Sequence, residues 1–478
     1  MLRMRTIRLA LSIFGMVFGT IVLGMAMSIC AAAQTSSQPQ PVPTPAPGFG
    51  QNAPVLDPDN PPITGLDVPG LELRTASRSF VAPALQVSES ADTNGTNQFG
   101  GSGDLQSVTR VLGAFDLQQF WPKSDLFLEY LGGGAFYSSP YAAKQLQAAG
   151  LDAVTRWRTG QATLRDSFDY SPDGVFQIGT FGGVPGLGLA TGSGGIGGYV
   201  PGFGNANLPS VGNIPRLANT AILDVVQAVN PVSAITIAGG FSNAHFYDNT
   251  NTLANSDQIT AQAGYSHLLN RRDQIGVVYA FQLFQFPQNT GGEIYNHVVN
   301  LRWSHTISGR FSLIAGVGPQ YTDLQSGQAL SQWNVSARVQ LRYKFAHSSV
   351  TATYEKFTSQ GSGLFAGANT QAARLAYKRP LARTIDLYAD VGYSHNKKLQ
   401  NAVIGVNGAS TYDEGYAAAV VRKHFGRSYD LFVAYRFSEL GLDAPISNCP
   451  NVLGCGQLNS RHVGTIGLEW HPTPTRIE

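Results

Sequence analysis

Apolar and polar residues alternate strictly along residues 333–345. The odd positions carry Trp, Val, Ala, Val, Leu, Tyr and Phe, and the even positions carry Asn, Ser, Arg, Gln, Arg and Lys. Successive side chains of a β-strand point to opposite faces, so this period of two predicts a strand with one apolar and one wet face. The segment exceeds the roughly 9–11 residues that a tilted strand needs to cross a bilayer. A soluble sheet and a membrane barrel both accept such a strand, so the rest of the chain must decide between them.

The same alternation recurs from about residue 80 to residue 471, without a convincing amphipathic helix. It predicts an all-β fold, a transmembrane antiparallel β-barrel of about 18 strands, with 16 as the alternative count. The predicted strands include a fourth centred near Arg158 and a fifth centred near Ile178. Aromatic residues lie near the predicted strand ends, where interfacial bands of a membrane barrel would place them: Phe120, Trp121, Trp333, Tyr343, Phe345 and Trp470.

The predicted connections alternate in length. Those after even strands are short turn sequences, such as residues 121–124, 171–174 and 270–273. Those after odd strands are longer and polar, such as residues 247–256, 322–331 and 395–411. Short periplasmic turns and long outer loops are typical of outer-membrane barrels, and an even strand count places both termini in the periplasm.

With these features the chain resembles the Gram-negative outer-membrane β-barrels, and among them the porins. The last strand, residues 465–470, looks like the barrel-assembly signal of that class, although residues 471–478 follow it. In porins the connection between strands five and six folds inward and narrows the pore. The corresponding residues 182–217 are Gly-rich and contain no Asp or Glu, and Arg216 is their only charge. The resemblance therefore implies a steric constriction without an acidic side.

Composition and the N-terminus agree with export. Charged residues make up 13% of the chain, against about 25% in typical soluble domains. Residues 1–33 carry a basic start, an apolar run and Ala31-Ala32-Ala33, which predicts a signal peptide, with an uncleaved anchor as the alternative. Residues 34–78 hold ten of the 26 prolines and predict a periplasmic linker, with a lumen plug or docking segment as the alternatives. Residues 79–471 form the predicted barrel, and residues 472–478 a short tail.

Charged residues at the wet positions are the candidate functional residues. Those predicted to line the lumen are Arg302, Arg338, Arg342, Lys344, Glu355, Arg374, Asp386, Asp390 and Arg436. Arg302, Arg338, Arg342, Lys344 and Arg374 fall on alternate strands, which lie about 10 Å apart, so they predict a basic stripe that concentrates anionic solutes. The alternative is a wall in which these cations pair with Glu355 or Asp386.

The cysteines predict one disulfide and no metal site. Cys30 would leave with the signal peptide, and Cys449 and Cys455 then remain as a pair in the last long connection. Export favours their oxidation. No His/Cys cluster accompanies them, and no cofactor-binding fingerprint is found in the sequence.

The predicted function is a porin-like outer-membrane channel for passive diffusion of small hydrophilic, in particular anionic, solutes. Its expected partners are outer-membrane lipid, the barrel-assembly machinery and the solutes. The net charge of +2 argues against a nucleic-acid partner. Catalysis is not predicted, because the histidines are scattered. An adhesin or receptor working through its long loops, and a barrel hydrolase, stay as alternatives, and the sequence leaves open whether the barrel forms a homo-oligomer.

Overall fold

The computed structural model describes most of the region from residue 79 onward. The described residues are 79–93, 105–138, 143–171, 215–247, 254–270, 272–287, 292–308, 310–326, 328–359, 365–399, 410–426, 428–443, 458–472 and 475–476. The predicted signal peptide and Pro-rich linker, residues 1–78, lie outside this part, as do Cys449 and Cys455. The processing and disulfide predictions therefore stay predictions.

The described chain is all-β, and none of it forms a helix long and apolar enough to cross a membrane. Its strands are Phe80–Asp92 (β1), Gln106–Phe120 (β2), Ser124–Tyr137 (β3), Lys144–Trp157 (β4), Gly160–Ser171 (β5), Arg216–Asn230 (β6), Ser233–Phe246 (β7), Ser256–Leu268 (β8), Asp273–Gln285 (β9), Glu293–Ser308 (β10), Phe311–Ser326 (β11), Gln328–Lys344 (β12), Ser349–Ser359 (β13), Ala368–Ala382 (β14), Ile385–Lys398 (β15), Thr411–Phe425 (β16), Tyr429–Leu442 (β17), Leu458–Trp470 (β18) and Thr475–Arg476 (β19).

The first eighteen strands form one closed antiparallel barrel. Each strand pairs with the next along the chain, and β1 also pairs with β18 from Leu85↔Trp470 to Asp92↔Val463. The two-residue β19 continues this seam beside Phe80 and Val81. Closure leaves no free sheet edge, which is the condition for a sheet to cross a bilayer. The prediction of an 18-stranded antiparallel barrel is confirmed.

The two faces of the barrel wall differ as the alternation predicts. Outward positions are apolar and open, as at Trp333, Leu301 and Ile237, which are 74%, 66% and 61% exposed. Inward positions are mostly polar, and Arg338 is fully buried. An apolar outer face around a polar interior is the inverse of a soluble globular domain and fits a barrel surrounded by lipid.

Aromatic rings form bands near both ends of the barrel. Toward the long connections, His297 lies directly opposite Phe281 and Tyr321, and Tyr321 lies opposite Trp333. The Tyr321 and Trp333 ring centroids are 5.0 Å apart. At the short-turn end Tyr343 packs on Phe345 at 4.3 Å. Amphipathic rings at these two levels match the interfaces of a bilayer.

Phe120 does not belong to the outward aromatic bands. It packs on the buried, inward Phe127 at 5.5 Å, with the ring planes 76° apart. The following residue, Trp121, is 46% exposed in the turn. The sequence prediction for Phe120 was wrong because two apolar residues stand side by side where the strand ends, so the alternation does not tell their faces apart.

The fourth and fifth strands are shifted from their predicted places. Arg158 lies in the two-residue turn between β4 and β5, and Ser171 ends β5 instead of opening a turn. Ile178 lies outside the described residues. A side chain at Gly160 would meet the Val226 carbonyl oxygen at 2.5 Å, so the glycine after Arg158 and Thr159 allows strands to approach there. The Ser-Pro-Asp-Gly sequence after it is a strong turn signal, which explains the wrong assignment.

Two predicted connections also differ from those in the structure. Strands β11 and β12 remain paired as far as Ser326↔Gln328, so residues 322–331 are mostly strand and not loop. Arg216 begins β6, so it is not a charge within the connection from β5. Residues 172–214 lie outside the described residues, so the inward folding of that connection stays a prediction.

Candidate functional site: the inner face of the barrel

Two of the predicted lumen cations are paired with carboxylates. Arg338 on β12 lies directly opposite Glu355 on β13, with Nε 3.1 Å from Oε1 and both side chains buried. Arg374 on β14 holds Asp390 of β15, with Nε 3.3 Å from Oδ2. Because ion pairing neutralises both arginines, this part of the wall follows the salt-bridged alternative and not the unpaired basic stripe.

A denser charged cluster lies at the short-turn end of β15 to β18. His424 Nδ1 is 2.7 Å from Asp430 Oδ1, and its Nε2 is 3.1 Å from Asp386 Oδ2. Carboxylates accept hydrogen bonds, so this geometry suits an imidazolium that donates from both nitrogens. Arg422 approaches Asp430 at 3.3 Å and Glu469 at 3.6 Å. The cluster ties four consecutive strands together, and the sequence analysis identified only Asp386 among its members.

Two of the other predicted cations, Arg342 and Lys344, lie at the short-turn end of β12. Lys344 is exposed and Arg342 is half-buried, and neither has a carboxylate within salt-bridge distance among the described residues. Lys344, Ser349 and Lys378 occupy one cross-strand row on β12, β13 and β14. Arg302 is half-buried deeper in the barrel, in the cross-strand row of Arg338. We call Arg342, Lys344 and Lys378 the basic vestibule.

Charge on the inner face is distributed unevenly around the barrel. Inward positions of β10 to β14 carry one carboxylate, Glu355, against six cations: Arg302, Arg338, Arg342, Lys344, Arg374 and Lys378. Inward positions of β7 to β11 carry amides, hydroxyls and apolar side chains, with Arg302 as the one charged side chain among the described residues. The predicted residue Arg436 faces inward on β17, near Glu414 and Arg461.

The opposite wall contains ion pairs that the sequence analysis missed. Arg165 on β5 reaches Asp224 on β6 at 2.9 Å and Asp152 on β4 at 3.6 Å. Arg156 pairs with the buried Asp125. These residues occupy wet positions of their strands, but the shifted assignment of strands four and five concealed their parity. Arg156 and Asp125 balance each other, whereas Arg165 faces two carboxylates, so this wall adds no excess of cations to that of the basic vestibule.

Apolar patches interrupt the polar lining. Phe432 is fully buried beside Tyr388 and Val420, and a side chain at Gly467 would meet the Phe432 ring at 2.3 Å. A second patch on β1 to β4 contains Leu112 and Leu131. The sequence signal for such patches is a short run that is apolar at both parities, as in residues 417–421, because alternation then fails to separate the faces.

The described residues do not contain a complete hydrolase constellation. Ser233 Oγ is 2.8 Å from His267 Nδ1, and the Tyr265 hydroxyl donates to the same Oγ at 3.0 Å. No carboxylate contacts His267 in the described part of the chain, so this pair lacks the acid member of a triad there. Nor do three His, Cys, Asp or Glu side chains converge to hold a metal among those residues.

Comparison with known proteins finds solved structures that are similar to this chain at low sequence identity. No family model matches the sequence, and no curated protein is significantly similar to it. OccK2 of Pseudomonas aeruginosa has 10% identity and a TM-score of 0.40, with 82% of this chain and 98% of that chain covered. OccAB3 of Acinetobacter baumannii has 11% identity and a TM-score of 0.41, with 82% of this chain and 99% of that chain covered. A BenF-like porin from Pseudomonas fluorescens has 10% identity and a TM-score of 0.40, with 83% of this chain and 99% of that chain covered. Likeness at this level transfers neither a solute nor a residue role.

Proposed function

We propose that the chain is an integral outer-membrane channel for passive diffusion of small hydrophilic solutes, with a preference for anions. The closed barrel, its apolar outer face and its two aromatic bands support insertion in a bilayer. An even strand number is typical of bacterial single-chain barrels of the outer membrane. The predicted export signal, residues 1–33, agrees with this location.

The observation that carries the anion preference is the basic vestibule. Arg342 and Lys344 are accessible at the short-turn end, and the described residues supply them with no carboxylate partner. An excess of one sign of charge inside a low-dielectric wall raises the local concentration of counter-ions. The paired residues Arg338, Glu355, Arg374 and Asp390 add polarity to the wall but little net field. The proposal therefore rests on fewer cations than the sequence suggested.

A barrel that acts through its loops is the second candidate, and one observation favours it. Many inward side chains are almost completely buried, including Thr236, Gln258, Asn296 and Asn300 at 0% exposure. A wide water-filled pore would leave such side chains accessible. An adhesin or receptor needs no open lumen, so this burial is compatible with either a closed state of a channel or a permanently filled barrel.

Electrical recording separates the two candidates. Purified, refolded protein is inserted in a planar bilayer, and the reversal potential is measured under a KCl gradient. Anion selectivity is the expected result, and it should weaken at molar salt, where the screening length falls to about 3 Å. Cation selectivity contradicts the role of the basic vestibule. Absence of conductance from protein that is folded by semi-native electrophoresis favours the loop-based alternative.

A further inference from the structure

Residues 365–367, between β13 and β14, lie inside the long-connection end of the barrel, and we call them the strap. Ala366 is fully buried in an apolar cluster with Phe284, Ile294 and Leu324, which occupy inward positions of β9, β10 and β11. A side chain at Gly367 would meet Ile294 Cδ1 at 2.5 Å. Since β10 is three strands away from β13, the strap does not simply join its own two strands.

The strap also contacts the wall on its other side. Phe365 packs on Tyr412 of β16, with ring centroids 5.2 Å apart and both residues fully buried. The backbone N–H of Leu399, just after β15, donates to the Gly367 carbonyl oxygen at 3.2 Å. Strands β10 and β16 lie on either side of β11 to β15. The strap therefore covers the same sector of the barrel whose opposite end forms the basic vestibule.

The contacts that hold the strap are of a kind that can be broken and remade. The surface below it is apolar, with Phe284, Ile294 and Leu324 at 0–2% exposure, and Ala254, Phe286 and Leu399 complete the same cluster. Hydrophobic contact is non-directional, so the strap needs no precise geometry to dock again. Gly367 has a φ of +85°, a conformation that glycine adopts without steric cost, which lets the chain turn sharply after the docked residues.

We propose that the strap is a displaceable gate: docked, it closes the β10 to β16 sector at the long-connection end, and undocked, it opens a path to the basic vestibule. This inference rests on the proposed channel function and deepens it. It accounts for the burial of Phe284, Ile294 and Leu324 at the long-connection end without a permanently filled lumen there. It assigns the closure to a described segment other than the connection between β5 and β6.

The first test introduces a charge beneath the strap. In Ala366→Asp a carboxylate would be buried among apolar side chains without a partner, so the docked state is disfavoured. Single-channel conductance in a planar bilayer is expected to rise by about twofold or more as the constriction is removed. Asn369→Asp is the matched control, because it adds the same charge three residues later at an outward position of β14. Equal conductance of the two variants, in channels that conduct, overturns the proposal.

The second test locks the strap and does not depend on Ala366→Asp folding. Ile294→Cys and Ala366→Cys are combined in a background with Cys449→Ser and Cys455→Ser, and the thiols are oxidised in the folded protein. Conductance should fall on oxidation and recover on reduction. A cross-link that forms without changing the conductance overturns the gate, as does failure of the thiols to cross-link. If no variant conducts although the cross-link forms, the channel function itself is wrong and the strap is a permanent closure.

Discussion

Asp92 and Arg461 join the first and last strands of the barrel through a buried ion pair, although 369 residues separate them in the chain. Arg461 Nε lies 2.9 Å from Asp92 Oδ1 and 3.0 Å from Oδ2, and a second guanidinium nitrogen also contacts this carboxylate. A hydroxyl contact of 2.9 Å between Ser90 and Thr465 lies beside it. The seam that closes the sheet is thus held by side chains as well as by its backbone ladder.

Breaking this pair on one side should destabilise the barrel. Arg461→Leu leaves the Asp92 carboxylate buried without its main partner, which costs about 3–5 kcal/mol. The temperature at which the folded band disappears on semi-native electrophoresis should fall. The double variant Asp92→Asn with Arg461→Leu should recover most of the loss, since no buried charge is then left alone. A double variant as unstable as Arg461→Leu would show that the ion pair is not the cause.

Close strand packing at Gly318 predicts a more severe defect. A Cβ there would lie 1.7 Å from the Val299 carbonyl oxygen, which belongs to the backbone of the neighbouring strand and cannot move aside. Gly318→Ala should therefore cost about 4–5 kcal/mol or more, the range of severe substitutions, and leave little folded protein. Gly415→Ala is the control, because no atom lies within 4 Å of its added methyl group. Equal yields of folded barrel from the two variants would refute this explanation.

The two faces of the barrel wall are expected to differ in how well they tolerate an added arginine. Leu301 is 66% exposed near the middle of β10, so Leu301→Arg directs a cation toward hydrocarbon and should cost about 2–4 kcal/mol. Ser304→Arg places the same side chain three residues later on the inward, half-buried face and should cost much less. Urea unfolding in lipid vesicles measures both. A loss at Ser304 equal to that at Leu301 would contradict the assignment of the faces.

Sidedness follows from the lengths of the connections. Asn251, Asn401 and Asn451 lie in long connections and should be cut when intact cells are treated with a non-specific protease, whereas Arg271, in the short turn between β8 and β9, should be spared. Protection must be lost after the outer membrane is permeabilised. Cleavage at Arg271 in intact cells would reverse the orientation and would also reject the prediction that both termini are periplasmic.

The sequence predicts the face of a residue much better than its partner. Alternation in residues 333–345 suffices to place Arg338 inside, because parity is a local property. That Arg338 meets Glu355 depends on the register between β12 and β13, which the length of the intervening turn sets. The pairing of Asp92 with Arg461 depends on closure of the whole barrel, which no local pattern specifies.

Two features of the candidate site were missed for related reasons. The ion pairs of Arg156 and Arg165 were missed because the turn composition of residues 171–174 drew the predicted β4–β5 turn away from its place at residues 158–159. The docked strap was missed because Phe365 and Ala366 lie in a connection, where periodicity carries no information about facing. Contacts between a loop and a distant strand require the fold.

Removal of cations from the basic vestibule is expected to change the ion selectivity of the channel. Replacing both Arg342 and Lys344 by Gln removes two inward cations that have no carboxylate partner among the described residues. The reversal potential under a KCl gradient should shift from the anion side toward zero, because the wall then concentrates fewer anions. The difference from the unsubstituted protein should be large at about 0.01 M salt, where the screening length is about 30 Å, and should nearly vanish at 1 M, where it is about 3 Å.

Lys423→Gln is the matched control for this double substitution. Lys423 lies at the same short-turn end, but it faces outward on β16, with Nζ 3.0 Å from Thr384 Oγ1. The Lys423→Gln substitution removes a cation near the membrane interface and leaves the inner face unchanged. The reversal potential should therefore stay that of the unsubstituted protein. If Lys423→Gln shifts the potential as much as the double substitution does, selectivity arises from the surface charge around the pore mouth. An unchanged potential in the double variant would instead assign selectivity to residues other than the vestibule.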